Sequence, residues 1–343
     1  MYFSGISTAG EDHIEVGDVL PEFDFSLTDP TEASYAVTDY AIARLSAIAQ
    51  NYPSPIALMV SGGVDSLHML ACAVKAEVDA VAYTFSWPGS AQAESEVATA
   101  RSVSKDLGVT HVAVRPTDRD MTALLTDTAL KVQTSEPWEV LSAAVISAIA
   151  DKVPSDTALI SAMGADTLML GGQEFAPSRS DSDTLGRWEA QVKSDIRRGF
   201  TYHRFIPDFY TRVLGSRAGN FFKLWQTHQA VDLISHLHPQ VVRGQDWRDD
   251  KFVIRNAARQ LGVDTAYLAA VKSPMQVSSG GVAAIEKLAR RDLAHQFKGR
   301  TYSDPETEDI ELVLARLYLN HLWARTHDYI TNTDGELTAT DKR

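Results

Sequence analysis

The chain has 343 residues, 44% of them hydrophobic and 22% charged, enough for one large domain or two modest ones with a sizeable core. Its 32 basic and 45 acidic residues leave a formal charge of −13, a balance that disfavours binding through phosphate neutralisation, so nucleic acid is not expected as a partner. A single cysteine, Cys72, excludes an intrachain disulfide, a zinc site built from several cysteines, and sulfur transfer between two thiols of one chain.

The N-terminus (MYFSGISTAGEDHIEVGD) lacks a basic stretch followed by an apolar run, so no secretory signal is expected. No window approaches the roughly 18 apolar residues of a membrane span, and a cytoplasmic protein without membrane contact is the expectation. Residues 1–33 are polar and turn-rich, punctuated by Pro21 and Pro30, and read as an irregular arm. Val37, Ala41, Leu45 and Ile48, with Tyr40 beside them, predict an amphipathic helix over Ala33–Gln50.

A short apolar run, Pro55–Val60, then meets Ser61-Gly62-Gly63-Val64-Asp65-Ser66 and a helical stretch through Lys75: strand, glycine turn, helix. Asp79–Ser86 predicts a second buried strand, Ala91–Leu107 a helix closed by Gly108, and His111–Arg115 a third strand. Helices over Met121–Lys131 and Trp138–Ala150 lead to a fourth strand, Thr157–Ala162, and the turn Met163-Gly164-Ala165-Asp166. This alternation predicts an α/β domain over residues 34–172, a doubly wound parallel sheet with helices on both faces. In such a sheet the ligand site lies beyond the carboxyl ends of the strands, where Ser61–Ser66, Ser86 and Gly164–Asp166 all fall.

From Gln173 onward no strand is predicted. Residues 173–186 read as a mobile loop, and helical patterns run through Trp188–Arg198, Asp208–Leu214, Phe222–Leu237, Asp249–Leu261, Val282–Gln296 and Asp309–Tyr329. Residues 173–330 are thus expected to form a C-terminal helical subdomain, followed by a polar tail over 331–343.

Two adjacent glycines let the SGGVDS backbone turn tightly and approach a ligand with no Cβ between them. The N–H groups at the start of the following helix point outward, where the helix dipole favours an anion, and Ser61 and Ser66 add hydroxyl donors. Asp65 suits a phosphate only with magnesium between them. The string is neither the Walker motif GxxxxGK[ST] nor the dinucleotide fingerprint GxGxxG. For Gly62-Gly63 alone, a plain strand-to-helix turn is the alternative.

The complete string resembles the PP-loop of the N-type ATP pyrophosphatases, and further motifs narrow the resemblance to the synthetase domain of asparagine synthetase and its relatives. That family pairs SGGLDS with a later SGEGADE followed by GG; here Ser161-Ala162-Met163-Gly164-Ala165-Asp166-Thr167 is followed by Gly171-Gly172. Ser135-Glu136-Pro137-Trp138 resembles its serine-proline stretch, Lys251-Phe252-Val253-Ile254-Arg255 its lysine ahead of an LR-type helix, and Lys272-Ser273-Pro274-Met275, with Gly280-Gly281 after it, its lysine in a glycine-rich loop. The resemblance covers roughly residues 35 to 290.

The resemblance implies an adenine nucleotide alpha hydrolase-like fold and an ATP-dependent, AMP-forming ligase in which a substrate oxygen, usually a carboxylate, attacks the α-phosphorus and pyrophosphate leaves. It implies ATP contacts from Val60, Ser61, Gly62, Gly63, Val64, Asp65, Ser66, Ser86 and Gly164, Mg2+ held by Asp65 and Asp166, and catalytic cations at Lys272 and Lys251. The acceptor is expected to be a small molecule or a peptide. The nitrogen is expected from free ammonia or a separate glutaminase subunit, since no cysteine lies near the N-terminus to hydrolyse glutamine in the family's way. Met163 and Thr167 replace the two glutamates of SGEGADE, which argues against asparagine as the product. A PP-loop enzyme acting on a nucleobase or tRNA carbonyl, and a nucleotide-binding protein without catalysis, are the competing readings.

Several residues have plainer readings. Cys72 and His68 are expected to be packed within the helix after the loop, and Trp138 and Trp225 to be core or acceptor-pocket walls. The basic pairs Arg197-Arg198 and Arg290-Arg291 are expected on solvated helix faces.

Overall fold

The first helix, α1 (Pro30–Asn51), begins three residues before the start its apolar spacing predicts. Asp29 Oδ1 accepts from the N–H groups of Thr31 and Glu32 at 2.9 and 2.8 Å, and Pro30 occupies the first helical position, where its missing N–H is no loss. The arm therefore ends at residue 29 rather than 33. Its last stretch is tied down: Leu27 N–H donates to the His236 carbonyl at 2.7 Å, and His238 N–H donates to the Leu27 carbonyl at 3.0 Å. Val37, Tyr40, Ala41, Leu45 and Ile48 are all fully buried, as their spacing predicts.

This computed structural model describes residues 14, 18–200, 206, 208–269, 274–297, 304 and 307–324. The chain divides into two compact units, Met1–Gly280 and Gly281–Arg343. In the first, five parallel strands stand in the order β3-β2-β1-β4-β5: β1 (Ile56–Met59), β2 (Ala80–Phe85), β3 (Thr110–Val114), β4 (Leu159–Ser161) and β5 (Phe221–Lys223). All four residues of β1 are buried, as expected of a central parallel strand covered on both faces. Leu58 is in register with Ala82 on one side and Ile160 on the other.

The connections are helical: α2 (Val64–Lys75), α3 (Ala91–Asp106), then α4 (Asp118–Val132) and α5 (Pro137–Ala150). The chain steps outward from β1 to β2 to β3, then returns to β4 on the other side of β1. Strand order thus reverses between β1 and β4, the position at which doubly wound sheets open a ligand crevice. Downstream come α6 (Ala165–Met169), α7 (Asp181–Gly199), α8 (Phe209–Leu214), α9 (His228–His236), α10 (Pro239–Arg243), α11 (Phe252–Gln260), α12 (Thr265–Leu268) and α13 (Met275–Ser278). Helix α11 packs on α1 and α2.

Three expectations for this half are corrected. The sequence pattern predicts no strand after Gln173, yet β5 pairs with β4 in the register Leu159↔Phe221, Ile160↔Phe222 and Ser161↔Lys223. Phe222 therefore belongs to a strand and not to the predicted helix 222–237, which shortens to α9 with Thr227 as its cap, its Oγ1 accepting the Ala230 N–H at 3.0 Å. β5 thus adds a strand from beyond residue 172 to the sheet, and the first compact unit runs to Gly280. Finally, α7 starts at Asp181, inside the segment expected to be a loop, where Arg187 Nη1 donates to Ser178 Oγ at 2.7 Å.

The second unit contains α14 (Gly281–Phe297) and α15 (310–324), with Arg316 paired to Glu308 and Arg290 donating to the Glu308 carbonyl. The expected tail, 331–343, lies outside the described residues. Among the described residues no helix is long and apolar enough to cross a membrane.

Candidate active site

Where β1 ends, the chain turns through Val60-Ser61-Gly62-Gly63 into α2, and two hydroxyls set the shape of that turn. Ser66 Oγ accepts the Ser61 N–H at 3.0 Å and lies 2.9 Å from the carbonyl oxygens of both Ser61 and Gly63. Ser61 Oγ accepts the Gly63 N–H at 3.2 Å and lies 3.1 Å from Ser66 Oγ. These hydroxyls, expected as donors to a ligand, are engaged in holding the loop. No side chain caps α2, so its first-turn N–H groups keep a partial positive charge that favours an anion. A Cβ on Gly62 would stand 3.0 Å from Glu96 Cα, so glycine lets the loop lie directly on α3.

The neighbouring turn, after β4, depends on Gly164. Its φ is +106°, and a Cβ there would stand 2.8 Å from the Trp225 carbonyl carbon and 3.0 Å from Gln226 N. The 224–227 segment is fixed from α1, where Tyr40 Oη donates to the Leu224 carbonyl at 2.7 Å and lies 2.7 Å from Thr227 Oγ1. Trp225 N–H in turn donates to the Met163 carbonyl at 3.2 Å.

Asp65 on α2 and Asp166 on α6 converge on one cation. Lys251 Nζ donates to Asp65 Oδ2 at 2.6 Å and to Asp166 Oδ1 at 2.7 Å, with the lysine side chain only 2% exposed. Burial alone would lower the Lys251 ammonium, but the two carboxylates outweigh it and hold it above the ordinary lysine value. Lys251 sits just before α11 with φ 51° and ψ 47°, a left-handed conformation that costs about 1 kcal/mol for a non-glycine residue. Asp250 secures that strained position: its Oδ1 accepts the Gly172 N–H at 2.9 Å, and its carbonyl accepts Arg255 Nε–H at 2.7 Å.

Asp65, Asp166, Lys251 and the Val60–Ser66 loop line a cavity of about 520 Å³, within the size range of small-molecule sites. One wall comes from Tyr83–Phe85 at the end of β2 and from Glu96 on α3. Burial pushes the Glu96 carboxyl up, opposed by its hydrogen bond with Ser278. The opposite wall holds Met163, Thr167, Phe200, Tyr210 and Gln226. Tyr210 Oη donates to Met163 Sδ at 3.8 Å, Lys223 Nζ lies 4.2 Å from the Tyr210 ring centroid, and Gln226 Nε2 donates to the Gly199 carbonyl at 3.1 Å.

Of the site residues expected from sequence, Val60, Ser61, Gly62, Gly63, Val64, Asp65, Ser66, Gly164, Asp166 and Lys251 share this cavity. Ser86 does not line it: one residue past β2, it is fully buried, with its N–H donating to the Val114 carbonyl at 3.0 Å. Lys272 lies outside the described residues. Trp225 is core, whereas Trp138 is 46% exposed. His68 and Cys72 are buried within α2, the His68 ring stacked on Trp225 with centroids 6.3 Å apart. Glu96, Tyr210 and Gln226 carry no motif, and only the folded chain brings them to the site.

A parallel sheet with a serine- and glycine-built anion loop at its switch point, and two carboxylates beside that loop, defines a PP-loop enzyme of the synthetase type, which uses ATP. More particularly, the chain belongs to the asparagine synthase family, whose model matches residues 52–239. No curated protein sequence matches it. Among solved structures it is similar to the NH3-dependent NAD synthetase of Campylobacter jejuni subsp. jejuni NCTC 11168, with 12% identity over 85% of this chain and 95% of that one and a TM-score of 0.36. It is also similar to the NMN synthetase of Francisella tularensis, with 15% identity over 72% of this chain and 98% of that one and a TM-score of 0.31.

Proposed function

We propose that this protein is an AMP-forming carbon–nitrogen ligase that adenylates a substrate carboxylate and transfers a nitrogen nucleophile to it. The observation that carries this reading is the convergence of Asp65 and Asp166 on a single cation, 2.6 and 2.7 Å away, beside the Ser61–Ser66 loop. Two carboxylates aimed at one point suit magnesium, which takes few protein ligands, and Asp65 and Asp166 would hold it. When bound, it supplies charge neutralisation to the triphosphate.

The first-turn N–H groups of α2 receive phosphate oxygens, and Lys251 supplies a compact positive charge to the same region. A carboxylate oxygen of the acceptor bonds to the α-phosphorus while the bond to the bridging oxygen breaks, and pyrophosphate leaves. The nitrogen nucleophile then bonds to the acyl carbon, AMP departs with the shared oxygen, and the nitrogen gives up a proton. The protein's part is positioning and charge stabilisation. Among the described residues, Met163, Thr167, Phe200, Tyr210 and Gln226 line this part of the cavity without a carboxylate, which supports an acceptor other than aspartate. A small molecule or a peptide fits this reading, with ammonia from solution, a separate glutaminase subunit, or an amine as the nitrogen source.

The test is pyrophosphate release from Mg2+-ATP across a panel of carboxylates paired with ammonia or amines. Release that requires one acceptor and is lost in Asp65→Ala supports the reading. No release with any member of the panel sinks it.

A further inference from the structure

We propose that Lys251 is the resident cation of the Asp65–Asp166 pair, and that it yields this place to a divalent metal only when a triphosphate arrives to receive its ammonium. Metal and nucleotide would then enter together, and the nucleotide-free protein would exclude the metal. The inference rests on the reading of this pair as the metal-holding set of an ATP site.

One carboxylate oxygen from each aspartate already points at Nζ, at direct hydrogen-bond distance. A metal taking the same oxygens, at about 2.0–2.1 Å for magnesium, needs the volume the ammonium fills. Charge says the same. A divalent ion on the same two oxygens would stand against the ammonium they already hold, like charge against like at short range.

The backbone of Lys251 is held, so a change in its place would fall to the side chain. Its backbone carbonyl accepts the Arg255 N–H at 3.1 Å in the first turn of α11, and Asp250 beside it is held by Gly172 and Arg255. Along the side chain, Gly171 presents no Cβ: a methyl there would stand 3.1 Å from Lys251 Cε. The residue also lines the cavity shared with the anion loop, so a phosphate bound at that loop lies within the space the side chain borders. Without such an anion, an ammonium drawn away from both aspartates would be left buried and uncompensated, which is strongly unfavourable. The triphosphate is the partner that makes the exchange possible.

Mn2+ serves as the probe, titrated calorimetrically into the full chain with and without α,β-methylene-ATP. Lys251→Met should bind Mn2+ alone at least about tenfold more tightly than wild type, the scale of a typical coupling between ligands. Lys251→Arg, which keeps a cation, should still exclude the metal. The nucleotide analogue should raise Mn2+ affinity in wild type far more than in Lys251→Met. Equal Mn2+ affinity of wild type and Lys251→Met without nucleotide overturns the inference. Wild type that binds no analogue overturns the ATP reading itself, a separate outcome of the same titration. If Lys251→Met is poorly folded without metal, its melting temperature across a Mn2+ series decides: a rise supports the inference, and indifference overturns it.

Discussion

Gly171 and Lys251 are packed so closely that a methyl on the glycine would stand 3.1 Å from Lys251 Cε, and nearer still to Asp166 Oδ1. Gly171→Ala must therefore displace the carboxylate, the lysine or the backbone between them. Overpacking of this kind costs about 1–3 kcal/mol, readable in urea unfolding. Pyrophosphate release should fall by at least about tenfold, because a misplacement near 1 Å is enough to disrupt a positioned site. Undiminished release would show that the cluster tolerates movement and does not depend on its spacing.

Ser66→Ala separates the two roles a loop serine can play. Its hydroxyl accepts the Ser61 N–H and lies within reach of two carbonyls of the same turn, so its loss leaves groups of the loop without their internal partner. The cost to folding should be about 1–3 kcal/mol, and affinity for an ATP analogue should weaken along with it. Weakened nucleotide affinity at unchanged stability would instead assign the hydroxyl directly to the ligand.

The loop itself was legible because its chemistry is local: a buried strand, two glycines and a helix start lie within a dozen residues of one another. Four of the five strands were readable for the same reason, as apolar runs bounded by turns. β5 was not, since Phe221-Phe222-Lys223 is too short to show a period and becomes a strand only by pairing with β4. Lys251 was found through a motif, but its placement between two aspartates is a tertiary fact with no local signal. Ser86 shows the opposite error: the end of a strand faces the site in general, while this particular side chain points into packed interior. Glu96 and Tyr210 reach the cavity from helices whose spacing reports burial but not the direction of a ligand, and Gln226 from the loop after β5, which has no spacing to read.

Cys72 offers a direct check on the packing of α2. Burial pushes its thiol up, and the nearby Asp39 adds to the effect, so no thiolate forms near neutral pH. A thiol reagent should find no reactive group in the native protein and one equivalent after denaturation, the single cysteine of the chain. Rapid labelling of the native protein would mean that this helix opens.

His68 makes folding stability depend on pH in a defined window. Its ring is fully buried, with Nε2 3.4 Å from Thr38 Oγ1 and 3.3 Å from Cys72 Sγ, and burial lowers it from 6.5 to about 4. The unfolded chain thus takes up a proton below pH 6.5 that the native protein refuses until about pH 4. Unfolding is coupled to proton uptake across that interval, so stability is full above pH 6.5 and declines as pH falls, by up to about 3 kcal/mol from this group. Asp24 acts in a different window: its hydrogen bond with His236 holds it near 2, and its contribution fades only below 3.8. Urea unfolding of wild type and His68→Leu at pH 7 and pH 4.5 isolates the histidine. Wild type should lose about 2–3 kcal/mol more than the variant between these two values, and parallel losses in both proteins would remove His68 as the source.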